Sequence, residues 1–253
     1  MKRRYRVIFS LLLIVLTIIL SSTLSKKSQL SLSEIKTYKP IYKVKTEEKI
    51  LAITFDINWA EKEELYNILE VLDKYNVKAT FFIMGGWVNY SEENKEKLVK
   101  IKEGGHEIGN HSYIHPMFTK ISQDRMKEEI DKTNKIIEEV TGEKVKLFRF
   151  PSGDYNEKAC EFINSQELIS IQWNVDSIDY KESSAEEEYN RVINNVSPGS
   201  ILLFHNNAKY TPGNLDKIIS KLQNEGYEFK RVSDMIYDED YIINENGEQI
   251  KNK

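Results

Sequence analysis

Cysteine is almost missing: Cys160 stands alone among 253 residues, which excludes an internal disulfide and any zinc cluster built on thiolates. It reads as a small apolar helix residue, since no neighbour would activate its thiol. An excess of one charge is missing too. Thirty-six Lys and Arg against 40 Asp and Glu leave a formal net charge of −4, so there is no basic field and nucleic acid is not expected as a partner. No internal repeat supports a solenoid, and no glycine-rich phosphate loop stands at a strand end. Histidine is scarce, with only His106, His111, His115 and His205, so their positions carry information. What is present is 40% hydrophobic and 30% charged residues, the balance of one large globular domain or two small ones.

One long apolar run, Val7–Leu20, follows Lys2, Arg3, Arg4 and Arg6 and is interrupted only by Ser10 and Thr17. Carried to Leu24 it reaches about 18 residues, the lower limit for crossing a bilayer. Residues 1–24 are therefore expected to be a single-pass signal anchor, with a cleaved signal peptide as the alternative, since SSTLS offers no clear cleavage site. The positive-inside rule then places the remainder outside the cytoplasmic membrane. Residues 25–48 read as a polar linker, 49–236 as the folded domain and 237–253 as a polar, ragged tail.

Within the domain, short apolar runs alternate with helical patterns. LAITFD (51–56), ATFFIM (79–84), HEIGNH, LFRF, ISIQWNVD, SILLFH and YEFKRV read as strands. Helices are expected after Glu61, over Ser91–Glu103, over Ser122–Thr141, near Asn156–Ser165, near Ala185–Asn195 and over Asn214–Gly226. About seven such units imply an α/β fold with parallel strands joined by crossovers. Polar residues close the apolar runs: Asp56, Arg149, Asp176 with Asp179, and His205. Chemistry at the C-terminal ends of many different strands favours a (β/α) barrel over an open doubly wound sheet.

The residues at those ends define a candidate site. His111-Ser-Tyr-Ile-His115 has a spacing that can bring two imidazoles to one divalent ion on a helical turn, although Pro116 disfavours helical geometry at His115. His106 opens its strand and reads as structural. A carboxylate ending an apolar strand needs a cation or a donor, and a guanidinium there needs an acceptor, so Asp56 and Arg149 are expected to pair, with Asp56 held ionised as a base. His205 is the matching acid, with Asp176 or Asp179 fixing its tautomer. A base, an acid and a metal pair suggest metal-assisted hydrolysis.

These residues resemble the NodB-homology polysaccharide deacetylases, carbohydrate esterase family 4. TFDIN at Thr54–Asn58, HSYIH at His111–His115, RFPSG at Arg149–Gly153, DSIDY at Asp176–Tyr180 and Leu203-Phe-His205 match its five motifs in order, over about residues 49–236. The resemblance implies a distorted (β/α) barrel of about seven strands that removes N-acetyl groups from polymers of N-acetylhexosamine. It implies Asp56 as general base, Arg149 as its orienting partner and His205 as general acid with Asp179, or else Asp176, behind it. It also implies His111 and His115 as metal ligands, Leu203 as a wall for the acetyl methyl and the Ser152 N–H as an oxyanion donor.

One position departs from that pattern. The family's third metal ligand, the second Asp of TFDD, is Ile57 here, which leaves two imidazoles and Asn58 or water to hold a divalent ion. Zinc is expected first, cobalt or nickel next, at a weak site. The D-I-x-W form resembles the branch associated with sporulation. Trp59, Trp87, Tyr113 and Tyr180 are candidates to line a sugar groove, while Trp173 reads as strand core. The expected partner is an acetylated, peptidoglycan-like glycan. The competing expectation is a non-catalytic glycan-binding or morphogenetic protein that keeps the fold with a degraded metal site.

Overall fold

The structure, a computed structural model, describes residues 38–252. The signal anchor expected at residues 1–24 lies outside them. Among the described residues no helix is long and apolar enough to cross a membrane.

The strands are β1 (Lys43–Val44), β2 (Ile50–Ile57), β3 (Thr80–Ile83), β4 (Glu107–Asn110), β5 (Leu147–Phe148), β6 (Ile169–Ser170), β7 (Val175–Asp176), β8 (Ile201–His205), β9 (Glu228–Phe229), β10 (Tyr241–Ile243) and β11 (Glu248–Lys251). Helices of eight residues or more are α1 (Leu65–Lys74), α2 (Glu92–Glu103), α3 (Gln123–Thr141), α4 (Glu157–Ser165), α5 (Ala185–Ile193) and α6 (Thr211–Asn224). The side chains of Ser91, Ser122, Asn156 and Ser184 accept from the N–H three residues on, so α2 to α5 each begin at a polar cap.

Seven parallel strands run in the order β6-β5-β4-β3-β2-β8-β7. That is a barrel's cyclic order, left open between β6 and β7, so the closed form of the expected barrel is not reached. The run ISIQWNVD, expected as one strand, is the opening itself: Gln172–Asn174 leaves the ladder between β6 and β7. YEFKRV is likewise a strand only at Glu228–Phe229, which pairs with Ile50–Leu51 at the start of β2.

The expected linker and tail both need correction, and one physical reason covers them. An open barrel exposes backbone donors and acceptors that must be paired. Ile41 N–H donates to the Ser170 carbonyl at 2.8 Å and Gln172 N–H to the Ile41 carbonyl at 2.8 Å. Lys43 bridges to Ser200 on the other side of the gap. Residues 38–48 therefore do not form a free stalk; Ile41 and Val44 are fully buried with Ala52, Phe82, Ile171 and Ile201 inside the barrel. The expected tail folds back as β10 and β11, and β11 pairs with β1. Buried Gln249 exchanges two hydrogen bonds with the Tyr237 backbone, accepting at 2.9 Å and donating at 2.8 Å. A polar composition suggested a tail because a side-chain amide that replaces backbone pairing leaves no apolar pattern.

Alternation sorts β2 into two layers. Leu51, Ile53, Phe55 and Ile57 pack toward the helices with α1 and α6 residues such as Leu65 and Leu215. Ala52, Thr54 and Asp56 are the alternate set, with Ala52 in the barrel interior. This places Asp56 at the mouth on the strand's C-terminal end.

Candidate active site

Asp56, His111, Arg149 and His205 come from four strand ends and meet at that mouth. Arg149, fully buried directly after β5, donates from Nη1 to Asp56 Oδ1 at 2.8 Å and to Thr54 Oγ1 at 2.8 Å. Its Nη2 reaches the Gln172 carbonyl at 3.1 Å, and the Phe82 ring lies 4.0 Å from the guanidinium. The charge is thus saturated by an anion, carbonyls and a ring face. Burial pushes the Asp56 carboxyl up, but the cationic neighbours His111, Arg149 and His205 outweigh it and hold it below the ordinary value. Arg149 supplies the permanent charge, because burial pushes His111 down to about 4.

His111 and His115 do not lie on a helical turn. Ser112 and His115 both take left-handed backbone, φ 65° and 63°, and this loop brings the imidazole centroids within 4.9 Å. The loop is held by groups the sequence did not flag. Glu129 of α3, almost fully buried, accepts from Tyr113 N–H at 2.7 Å and Ile114 N–H at 2.8 Å. Asn110 Oδ1 accepts from Ser112 N–H at 2.7 Å, and Ser112 Oγ from His115 N–H at 3.0 Å. A buried Glu in the middle of an amphipathic helix leaves no motif, so only the fold reveals it. His111 Nδ1 bonds the Arg149 carbonyl at 2.9 Å, which fixes the hydrogen there and leaves Nε2 as a lone pair.

On the opposite side, His205 Nδ1 bonds Asp179 Oδ1 at 2.7 Å. The second oxygen of Asp179 accepts from His205 N–H at 2.8 Å and from Thr211 Oγ1 at 2.9 Å. Burial pushes the His205 imidazole down, but the Asp179 hydrogen bond and charge overcome it, with help from Asp56 and Asp176, and its pKa is raised. Asp176 accepts from Ile178 N–H at 2.9 Å instead, so of the two expected acid partners the structure joins Asp179 to the ring. Ile178 between them sits at φ 53°, a costly conformation for a β-branched residue that marks a constrained turn.

The remaining candidates divide. Leu203, buried, lies two residues before His205 on β8 and so shares its face. Ser152 is exposed at φ 54° in the turn after Arg149. Tyr180 is exposed and stands edge-on to His205, centroids 5.5 Å apart. Trp59 is 44% exposed. Trp87 is fully buried, its Nε1 donating to Glu63 at 2.7 Å, so it is core and not groove wall. Trp173, expected in strand core, is instead half-buried in the barrel's opening, 5.4 Å from the Arg149 guanidinium. Asn58 pairs through its backbone with the Asn206 side chain, its N–H donating to Oδ1 and its carbonyl accepting from Nδ2, both at 3.0 Å. His106 accepts from Ala79 N–H at 3.2 Å, and Cys160 is a buried free thiol.

Residues 43–169 match the family model for polysaccharide deacetylase. A peptidoglycan-N-acetylglucosamine deacetylase of Bacillus cereus is 36% identical over 197 residues, 73% of this chain and 67% of that one. This chain belongs to the polysaccharide deacetylase family, carbohydrate esterase family 4. The uncharacterized protein YlxY of Bacillus subtilis is 33% identical over 198 residues, 78% of this chain; the chain spans only 60% of that relative's length. A family 4 pseudoenzyme from Bacillus anthracis has the same fold, with a TM-score of 0.74 at 34% identity over 81% of this chain and 70% of that one. A variant of it with restored enzymatic activity matches with the same TM-score at 35% identity, over 81% of this chain and 73% of that one.

The family's metal can be tested against the residues present. His111 Nε2 is buried without a hydrogen-bond partner and lies 3.4 Å from Asp56 Oδ2. Two lone pairs face one another there, an arrangement that calls for a cation or a water hydrogen. Yet a hydrolytic zinc takes three protein ligands plus water. Ile57 is fully buried in the helix-side core, and no group of three His, Cys, Asp or Glu side chains among the described residues could hold an ion. The donor set does not fit a resident catalytic ion, and proton transfer falls to the protein's own groups.

Proposed function

We propose that this family member recognises an N-acetylated, peptidoglycan-like cell-wall glycan and hydrolyses its N-acetyl groups. One observation carries the reading: the mouth holds two proton-transfer groups biased in opposite senses, Asp56 toward its ionised form by Arg149 at 2.8 Å and His205 toward its protonated form by Asp179 at 2.7 Å. Asp56 takes the proton of the attacking water while Arg149 holds its other oxygen. His205 delivers a proton from Nε2 to the leaving amine, and Asp179 stabilises the imidazolium. Leu203 and Tyr180 border the position of the acetylated sugar. A divalent ion at the imidazoles, zinc before cobalt or nickel, is a weakly held guest.

The second reading is a glycan-binding protein without turnover, favoured by the burial of Ile57 and by the likeness to a family 4 pseudoenzyme. Acetate release from peptidoglycan and N-acetylglucosamine oligomers, with chelator and with added zinc, cobalt or nickel, separates the two. Release that disappears in Asp56→Asn supports the enzyme. Co-sedimentation with glycan and no release under any condition supports the binder.

For location we rely on residues 1–24. We propose a single pass with the domain outside the cytoplasmic membrane, in the wall of a sporulating cell. Protease added to intact protoplasts digests such a domain; its protection overturns the placement.

A further inference from the structure

The acid pair has a backing that the reaction above does not use, and its role rests on His205 as proton donor. Glu188 of α5 is buried, with Oε1 3.2 Å from Thr211 Oγ1. The same hydroxyl lies 2.9 Å from Asp179 Oδ2, and Asp179 Oδ1 takes the His205 Nδ1 hydrogen at 2.7 Å. A threonine hydroxyl has one hydrogen to give. Two ionised carboxylates cannot share it, and two buried like charges across one hydroxyl oppose each other. A neutral Glu188 resolves the arrangement: its O–H donates to Thr211, and Thr211 donates to Asp179.

The surroundings agree. Burial, then the Asp179 charge, push the Glu188 carboxyl up to about 7, outweighing the hydrogen bonds of Asn214 and Thr211 that pull it down. The groups α6 presents to it, Thr211 and Asn214, are uncharged. Asp179 faces it from the turn after β7, with His205 beyond on β8. Lys181 and Glu182, with Glu187 and Arg191 of its own helix, line the cavity of about 460 Å³ that also reaches Glu188 and Asp179. Arg191 Nε is taken by the Asp176 carbonyl at 2.9 Å. The cavity gives the carboxyl an exchange route to solvent that does not cross the mouth.

We propose that Glu188 is a positioning residue for the His205 acid: neutral, it directs the Thr211 hydrogen onto Asp179 and holds that carboxylate toward His205; ionised, it competes for the hydrogen and adds a second negative charge behind the pair. His205 therefore occupies two electrostatic settings that exchange near neutral pH, and ionised Glu188 favours its imidazolium form.

The test is an NMR titration of the His205 ring nitrogens and the Glu188 carboxyl carbon in the full chain. Wild type is expected to show a two-step His205 curve, with the Glu188 signal moving through one of the steps. Glu188→Gln, which keeps a donor toward Thr211, gives one step at lower pH, and Thr211→Ser, which keeps the hydroxyl, retains the wild-type shape. A one-step wild-type curve unmoved by Glu188→Gln overturns the proposal. Should Glu188→Gln fail to fold, the wild-type carboxyl decides alone: titration near neutrality in step with His205 supports it, and titration in the ordinary carboxylate range overturns it. Because the titration reads the imidazole and not acetate, it distinguishes failure of this coupling from failure of the hydrolytic reading, even in a chain that releases no acetate.

Discussion

The two sides of the mouth differ in how far the protein completes them. On the β8 side both oxygens of Asp179 have partners within the chain, the His205 ring on one and the His205 backbone and Thr211 on the other. On the β2 and β4 side, His111 Nε2 has none and faces a carboxylate oxygen 3.4 Å away. Proton transfer can be built from covalently tethered groups alone. An ion site needs a set of donors, and with Ile57 turned to the core one is missing. The acid and base pairs are therefore structurally independent of the metal, since Arg149 and Asp179 orient them without it.

Breaking either proton-transfer group has the largest expected effect. Asp56→Asn and His205→Ala each lower acetate release by about 10²–10⁴-fold, and the double variant loses much less than the product because the two groups act on one step. Full release in either single variant refutes the roles.

Arg149→Met tests how the base is held. It leaves the Asp56 carboxylate buried without its cation, and chemical denaturation should show a loss of about 3–5 kcal/mol. A loss below about 1 kcal/mol would mean that solvent already screens the pair.

Ile57→Asp would make the two sides alike. Calorimetry with zinc should show affinity raised about tenfold or more, since an anionic donor joins two neutral ones. Thermal unfolding without the ion should come earlier, because a carboxylate replaces a fully buried side chain. Unchanged affinity in the folded variant would mean that a side chain at position 57 stays turned to the helix-side core where Ile57 packs, or that another group already supplies the third donor.

The two sides should also separate by pH. Asp56 has a pKa lowered from 3.8, so its contribution to stability is present above that value and is lost as pH falls through the folded pKa. His205 has a pKa raised from 6.5, so its contribution is complete below 6.5 and is lost as pH rises through the folded pKa. Denaturation across pH in Asp56→Asn should flatten mainly the acid limb, and in His205→Ala mainly the alkaline one, with a smaller change on the other limb because each charge also shifts its counterpart. The smallest effect belongs to the rim: Tyr180→Ala removes one exposed aromatic face and should raise KM about fivefold, roughly 1 kcal/mol, with kcat held.

The sequence by itself determined the strand-helix alternation and the residues that close each strand, because burial of an apolar run leaves a periodic trace and a charged residue at its end stands out. It also placed Asp56 beside Arg149, since each needed the other. It could not show that the barrel stays open between β6 and β7, because WN inside ISIQWNVD interrupts nothing in the hydropathy pattern. Nor could it show that residues 41–44 and 241–251 pair around that opening, for backbone hydrogen bonds carry no side-chain signature. The choice of Asp179 over Asp176, the left-handed turns at Ser112, His115 and Ile178, and the backing of the site by Glu129, Thr211 and Glu188 were decided by tertiary structure alone. A single polar residue on a helix or loop acquires its meaning only from what the fold sets within hydrogen-bond distance of it.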